Sequence, residues 1–232
     1  MESSSADQNI VNHSGNMIAL SFFLFAITFL LVFNAAEYDL GLFIGFVGII
    51  IFISQRKYIN PDIKRYVYSG IIIFILSLIA SSVYIAISLS SAVGSIAKYQ
   101  HGNEIAGKYL FQYFFNYYFY SSAILVIVAL ISYILISYKF LIGHKLPFIA
   151  GLIVSSALDI LYTDVYLLSL KGTMGNEMIN VNKIAYYESQ IKYAGDAGNV
   201  LIIRLASVLI SMGLFIYLGI YIRKNTKNFV KE

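Results

Sequence analysis

Six long apolar runs, separated by polar connectors, dominate the pattern of hydrophobic and polar positions along this chain. A helix needs about 20 apolar residues, at about 1.5 Å each, to cross the hydrocarbon core of a bilayer. Four runs meet that length, and the first two are shorter. The pattern therefore predicts an all-α, polytopic membrane protein with about six transmembrane helices. The predicted spans are 17–33, 40–53, 67–89, 121–142, 148–170 and 200–222.

The connectors are too short to hold a separate soluble domain. Even the longest of them, 171–199, cannot bury an independent core. We therefore predict one transmembrane domain over 17–224, with a polar N-terminal tail at 1–16 and a basic C-terminal tail at 225–232. The alternative is a first hairpin that does not cross fully, which would leave five spans and reverse one end.

Composition excludes several classes of protein. Charged residues make up 12% of the chain, against about a quarter in globular domains, so a water-soluble domain is excluded. There is no cysteine, and the three histidines lie outside the apolar runs, so thiolate metal sites and a bis-histidine haem are excluded. We expect no metal and no cofactor.

The basic residues indicate orientation rather than a polyanion partner. They are spread between helix ends and form no stripe with aromatics, so we expect no nucleic-acid partner. With a cytoplasmic N-terminus, ten basic residues fall in inward segments and five in outward loops. This asymmetry predicts a multi-pass protein of the cell membrane with both termini in the cytoplasm, in contact with anionic lipid headgroups of the bilayer.

The fourth predicted helix is longer than a span requires. The segment Leu110–Ile142 exceeds the length of one span by several turns, and eight of the ten positions at 111–120 are aromatic. Amphipathic rings settle at the headgroup level, so we interpret this segment as an interfacial start of the helix; an aromatic-lined portal for a lipid-like substrate is the alternative. The cluster comprises Phe111, Tyr113, Phe114, Phe115, Tyr117, Tyr118, Phe119 and Tyr120.

The chain contains an apparent internal duplication. At a shift of 74 the segment 74–82 matches 148–156 at six of nine positions, and a shift of 73 aligns Gly-Asn-Glu at 102–104 with the same triplet at 175–177. This predicts that helices three to four and five to six are two copies of one hairpin, arranged as a parallel repeat. The long outward loop also contains a predicted short helix at 182–194, on the membrane surface or capping the bundle.

Small residues spaced four apart predict close helix packing within the chain. They are Gly41 and Gly45, Gly151 and Ser155, and Ser207 and Ser211.

Three ionisable residues inside the apolar runs are the strongest functional signal. Asp164 and Arg204 lie at similar depths on consecutive helices, so we predict an intramembrane ion pair that locks those helices. Asp159 lies near the middle of its run, and a five-residue step places its carboxylate about 140° from that of Asp164. We interpret Asp159 as a candidate proton or cation site, with Tyr162, Thr163 and Tyr166 as nearby hydrogen-bonding groups; the alternative is a structural, hydrogen-bonded acid.

No catalytic motif is present, which argues against an enzyme without deciding the question. The leading hypothesis is a non-catalytic subunit or scaffold of a membrane assembly, with other membrane proteins or further copies of itself as partners. The second is a small secondary transporter or channel that uses Asp159. The third is a membrane enzyme acting on lipids, with the aromatic cluster receiving an acyl or isoprenoid chain.

Overall fold

A computed structural model describes residues 5–33, 38–174, 178–184, 186 and 198–230 of the chain. These residues are helical except for one two-stranded sheet and short turns, which confirms the predicted helical class. The α-helices are α1 (Ser5–Phe33), α2 (Tyr38–Ser54), α3 (Pro61–Tyr99), α4 (Gly107–Phe114), α5 (Ser121–Tyr138), α6 (Lys145–Met174) and α7 (Gly198–Lys224). The strands are β1 (Glu104–Ala106) and β2 (Met178–Asn180).

In the described part of the chain, four helices are long and apolar enough to cross a membrane. Their described spans are Gln8–Leu31, Pro61–Tyr84, Lys145–Val165 and Leu201–Lys224. The described apolar parts of α2 and α5 are shorter, at Phe43–Ser54 and Ser122–Tyr138. The fold is therefore consistent with a membrane protein, and the count of six spans stays a prediction.

The helix ends follow ordinary rules of helix chemistry. Pro61 is the first residue of α3, where its missing N–H is not needed, and the Asn60 side chain accepts a hydrogen bond from the Asp62 N–H. Arg223 and Lys224 occupy the last turn of α7, where positive charge stabilises the unpaired carbonyl groups. These local features explain why the connectors between apolar runs interrupt the helices.

The chain divides into two compact units that draw on the same long helices. The first unit comprises Met1–Ile72, Leu130–Ser155 and Leu205–Glu232, and the second comprises Ile73–Ala129 and Ser156–Arg204. Most of the predicted N-terminal tail belongs to α1, since that helix begins at Ser5.

Aromatic rings form the centre of the first unit. Phe22 is fully buried and makes edge-to-face contacts with Phe52 and Phe140, at centroid distances of 6.2 and 5.5 Å. Edge-to-face pairs contribute about 0.5–1.5 kcal/mol beyond the area they bury. In the same unit α2 packs closely on α1, because Gly45 has no side chain that would hold the two helices apart at Thr28. This contact confirms that predicted small-residue position.

Two of the predicted small-residue pairs meet each other. Ser155 of α6 donates to the carbonyl of Ser207 in α7 at 3.0 Å, and Ser207 donates back to the carbonyl of Ser155 at 3.0 Å. The Ser155 Oγ also lies 2.6 Å from the Ser211 Oγ. All three serines are buried, so these hydroxyls join the two helices within one chain.

Replacing Ser155 by alanine is therefore expected to lower the free energy of unfolding by about 1–2 kcal/mol, since each interhelical hydrogen bond in a membrane protein contributes somewhat under about 1 kcal/mol on average. The measurement is SDS-induced unfolding of the purified protein in mixed micelles. Ser156→Ala, one residue along α6, is the matched control and should stay within about 0.5 kcal/mol of the parent. Equal losses for the two variants would contradict this role.

The C-terminal segment packs into the first unit. Thr226 contacts the Cα side of Gly15 so closely that any side chain at Gly15 would overlap it. The Asn60 N–H donates to the Phe229 carbonyl at 3.1 Å, and Val230 forms a β-bridge with Ile59. Much of the predicted basic tail is therefore part of the packed structure.

The second unit has its own apolar core and the small sheet. The core comprises Leu110, Phe114, Leu167, Met174 and Ile179. The strands β1 and β2 are antiparallel, and Ile105 pairs with Ile179 at the centre of the ladder. Both isoleucines are buried, so the sheet is anchored by one apolar pair.

Candidate functional site

A polar cluster in the second unit contains the residues that the sequence singled out on α6 and α7. The guanidinium carbon of Arg204 lies 5.2 Å from the ring centroid of Tyr162. An Nη1 of the same side chain is 3.5 Å from the Tyr162 hydroxyl, a long hydrogen bond. Both side chains are partly buried, so the cation is held against an aromatic face away from full solvent.

Hydroxyl groups extend this cluster to a third helix. Thr163 donates to the backbone carbonyl of Asp159 at 3.2 Å, and its hydroxyl lies 3.3 Å from that of Ser122 in α5. Polar side chains from α5, α6 and α7 thus converge in a region whose helices are otherwise apolar. We call Ser122, Asp159, Tyr162, Thr163 and Arg204 the Asp159 cluster.

Helix geometry decides which carboxylate lies on the side of the arginine. Tyr162 is three residues after Asp159, about 60° around α6, whereas Asp164 is about 160° away from Tyr162. Because Arg204 contacts Tyr162, it lies toward the Asp159 side of the helix. The contact favours Asp159 over Asp164 as the opposite charge of Arg204, and the Asp164–Arg204 ion pair stays a prediction.

Asp159 is the fifteenth residue of the 30-residue helix α6, and Arg204 is the seventh residue of the 27-residue helix α7. Asp159 therefore lies near the middle of its helix. The depth of the cluster in a membrane stays a prediction.

The aromatic cluster at 111–120 is a continuous helical segment with an irregular turn. It starts in α4, and residues Phe115–Tyr120 form a π-helical turn that leads into α5. Within the second unit, the Tyr84 hydroxyl donates to the Asn116 carbonyl at 3.1 Å, which gives this widened turn a side-chain partner. Phe114 is fully buried, whereas Tyr120 is 47% exposed.

The aromatic cluster therefore contributes partly to the core of the second unit. Phe111, Phe115 and Phe119 pack at the margin of that core, and Phe115 stacks on Phe119 at 4.9 Å. Interfacial and portal roles for the cluster stay predictions. The side chains of Tyr117 and Tyr118, and most of the predicted loop helix at 182–194, lie outside the described residues; Val181–Lys183 forms a 3₁₀ turn.

The sequence identifies Asp159, Tyr162, Thr163 and Arg204, but two features of the cluster come from the structure alone. Ser122 is one, because a serine at the start of an apolar helix carries no distinguishing pattern. The contact of Arg204 with Tyr162 is the other, because the side of each helix that faces its neighbour depends on how the helices rotate against each other. The aromatic contact of Arg204 could have been suspected from the position of Tyr162, one turn from Asp159.

The described residues contain no group of three or more His, Asp or Glu side chains that could hold a metal ion. The cluster instead combines one cation, one carboxylate, one phenol and two hydroxyls. Such groups can exchange a proton or contact a small ion. The fold and the cluster define a helical protein that has helices long and apolar enough to cross a membrane and polar side chains within them. Comparison with protein-family models, curated proteins and solved structures finds no match.

Proposed function

We propose that this chain is a small secondary transporter or channel in which the Asp159 cluster binds a proton or a small cation. The observation that carries this proposal is the contact of Arg204 with Tyr162 on the Asp159 side of α6. Ionisable groups inside apolar helices are costly, so a cluster that brings an acid of α6 and an arginine of α7 together with hydroxyl groups of α5 and α6 is a candidate for a use beyond packing.

The cluster offers Arg204 two partners of different kinds. The aromatic face of Tyr162 attracts a cation without neutralising it, whereas the Asp159 carboxylate would pair with it directly. When Asp159 takes up a proton, its negative charge is lost and the guanidinium stays on Tyr162. When the proton leaves, the carboxylate attracts Arg204 again. Exchange between these two arrangements couples protonation of Asp159 to movement between α6 and α7.

Transport of this kind fits an architecture of repeated hairpins, and the small sheet supports the duplication. Ile105 and Ile179 pair with each other, and they are separated by the same offset as the repeated segments 74–82 and 148–156. An antiparallel ladder in which equivalent residues face each other has a local twofold axis through that pair. A parallel repeat has such an axis, directed along the membrane normal.

The segments after the strands support the same offset. Ala106 and Asn180, which precede the next helical turns, are separated by the same offset. Their backbone angles are nearly the same, with φ −63° and ψ 130° at Ala106 and φ −65° and ψ 128° at Asn180. Leu110 and Ile184 are also separated by this offset, and both pack in the core of the second unit. We therefore propose six spans, with the second and third hairpins as two copies; only the second copy contains the acid, since Ile85 stands at the position equivalent to Asp159.

The test is ion flux into liposomes that contain the purified chain, with a pH-sensitive dye inside and with Na⁺ or K⁺ gradients in parallel. Asp159→Asn should reduce flux to the level of empty liposomes, because the amide cannot take up a proton or balance a cation. Asp164→Asn is the matched control on the same helix, and it should retain flux because its side chain points away from Tyr162.

Circular dichroism and gel filtration in detergent establish that both variants are folded. Normal flux in Asp159→Asn, or no flux in the parent, would refute the transport proposal. If the parent carries no flux and instead purifies with a stoichiometric membrane protein, the subunit hypothesis replaces it.

A further inference from the structure

Two tyrosines in the first unit stack on each other, and each has a lysine over its ring. Tyr66 of α3 and Tyr138 of α5 have centroids 5.7 Å apart and planes at 22°. The Nζ of Lys139 lies 4.9 Å from the Tyr66 centroid, and the Nζ of Lys145 lies 4.1 Å from the Tyr138 centroid. We call these four residues the lysine–tyrosine site.

The turn between α5 and α6 brings the two lysines together. Lys139 follows the last residue of α5, and Lys145 is the first residue of α6. Gly143, between them, has φ +83°, a conformation that residues with a Cβ rarely adopt. The turn therefore places two ammonium groups beside one pair of stacked rings.

These ammonium groups lack a negative partner among the residues that the structure describes. No carboxylate there pairs with Lys139 or Lys145, and their contacts are with the rings. The segments 55–66 and 138–145 contain six lysines and arginines and a single acid, Asp62. An aromatic face holds a cation in place without neutralising it, so the site presents fixed positive charge to an external anion.

The surroundings of the site fit an amphiphilic anion better than a free one. Tyr66 is exposed, and Ile131, seven residues before Tyr138 and hence on the same face of α5, is 45% exposed. An apolar surface therefore leads away from the charged groups along the helix. A phosphate at the lysines would have its hydrocarbon tails against such a surface.

We propose that the lysine–tyrosine site binds the phosphate headgroup of an anionic phospholipid. The two ammonium groups donate to the phosphate oxygens, and the tyrosine rings keep both lysines extended and ready to bind. This proposal is independent of the transport proposal, because it requires neither flux nor Asp159. It also agrees with the inward orientation of this end of the helices that the charge asymmetry predicts.

The test is native mass spectrometry of the full chain in an uncharged detergent, titrated with phosphatidylglycerol, phosphatidylcholine or inorganic phosphate. Phosphatidylglycerol should bind stoichiometrically, and phosphatidylcholine should not. Each lysine near a membrane surface contributes about fivefold in affinity for anionic lipid, so the double variant Lys139→Gln with Lys145→Gln should bind about 30-fold more weakly.

The second unit supplies a matched control. Tyr99 and Tyr109 stack at 4.1 Å, with Lys98 and Lys108 over their rings. As charged residues, the segment 98–109 holds only these two lysines and the acid Glu104, so it presents much less positive charge to an anion than the segments of the lysine–tyrosine site. Lys98→Gln with Lys108→Gln should leave the affinity for phosphatidylglycerol unchanged. Equal losses in the two double variants would show a general effect of surface charge and overturn the proposal.

Two further results keep the proposal falsifiable. If the double variant fails to fold, the single variants should each weaken binding about fivefold, and the parent should lose phosphatidylglycerol as ionic strength rises. Binding that is insensitive to salt would overturn the proposal. Inorganic phosphate that displaces the lipid at equal concentration would also overturn it, because the site would then recognise free phosphate without using the apolar surface.

Discussion

Replacing Phe229 by alanine is expected to lower the free energy of unfolding by about 3–5 kcal/mol, the usual cost of removing a buried phenyl ring. Phe229 is 1% exposed and makes an edge contact with Phe140, with 5.4 Å between centroids. Its loss would leave a cavity between the C-terminal segment and the ends of the helices. SDS-induced unfolding in mixed micelles measures the change, and protease cleavage after the C-terminal lysines should become faster.

The matched control is Phe46→Ala in α2, because that ring is 61% exposed. It removes the same atoms without opening a cavity, so its unfolding free energy should change by less than about 1 kcal/mol. Similar values for the two variants would contradict the packed position of the C-terminal segment. Faster cleavage without loss of stability would show that the segment contributes little to the core.

Replacing Gly70 by leucine is expected to lower the free energy of unfolding by about 3 kcal/mol, because it overfills a tight contact between α3 and α5. A Cβ at Gly70 would lie 2.7 Å from the Cγ1 of Ile136 and 2.8 Å from the carbonyl oxygen of Ser132. The carbonyl is backbone and cannot rotate away. The helices would have to separate, which would also weaken the stacking of Tyr66 on Tyr138.

Gly94→Leu on the same helix is the control for this prediction. Among the residues that the structure describes, no atom lies within 4 Å of a Cβ built at Gly94, so leucine has room there. Leucine is also a better helix former than glycine by up to about 1 kcal/mol, so the control should be equal to the parent or slightly more stable. A loss of stability at Gly94 as large as that at Gly70 would show that chain flexibility, rather than helix contact, is responsible.

Much of the fold could be predicted from the pattern of apolar residues. The predicted runs at 67–89 and 148–170 lie inside α3 and α6, because a long apolar run in lipid must satisfy its own backbone hydrogen bonds as a helix. The predicted long fourth helix is also present, as α4, a π-helical turn and α5 in sequence. The lengths of α1 and α6 were less predictable, because both extend through polar residues that tertiary contacts keep helical.

The candidate site was predictable in its members and less so in its pairings. An acid or an arginine in an apolar run stands out because placing its charge in hydrocarbon costs free energy. Asp159, Asp164 and Arg204 could therefore be identified without a structure. The contact of Arg204 with Tyr162 could not, because depth along a helix does not decide rotation about its axis. The lysine–tyrosine site was not predictable either, since it joins α3 to the turn after α5, and Tyr66 and Tyr138 are far apart in the sequence.

The sequence by itself determined the class of this protein, a set of apolar helices with polar connectors, because the free energy of placing apolar and charged residues in hydrocarbon is local and additive along the chain. It also determined which residues are chemically conspicuous. Only the tertiary structure decided that Ser155 meets Ser207, that Arg204 lies over Tyr162 and that Phe229 closes the first unit. Those contacts depend on how each helix is rotated against its neighbours, and many side chains must pack together to select one rotation.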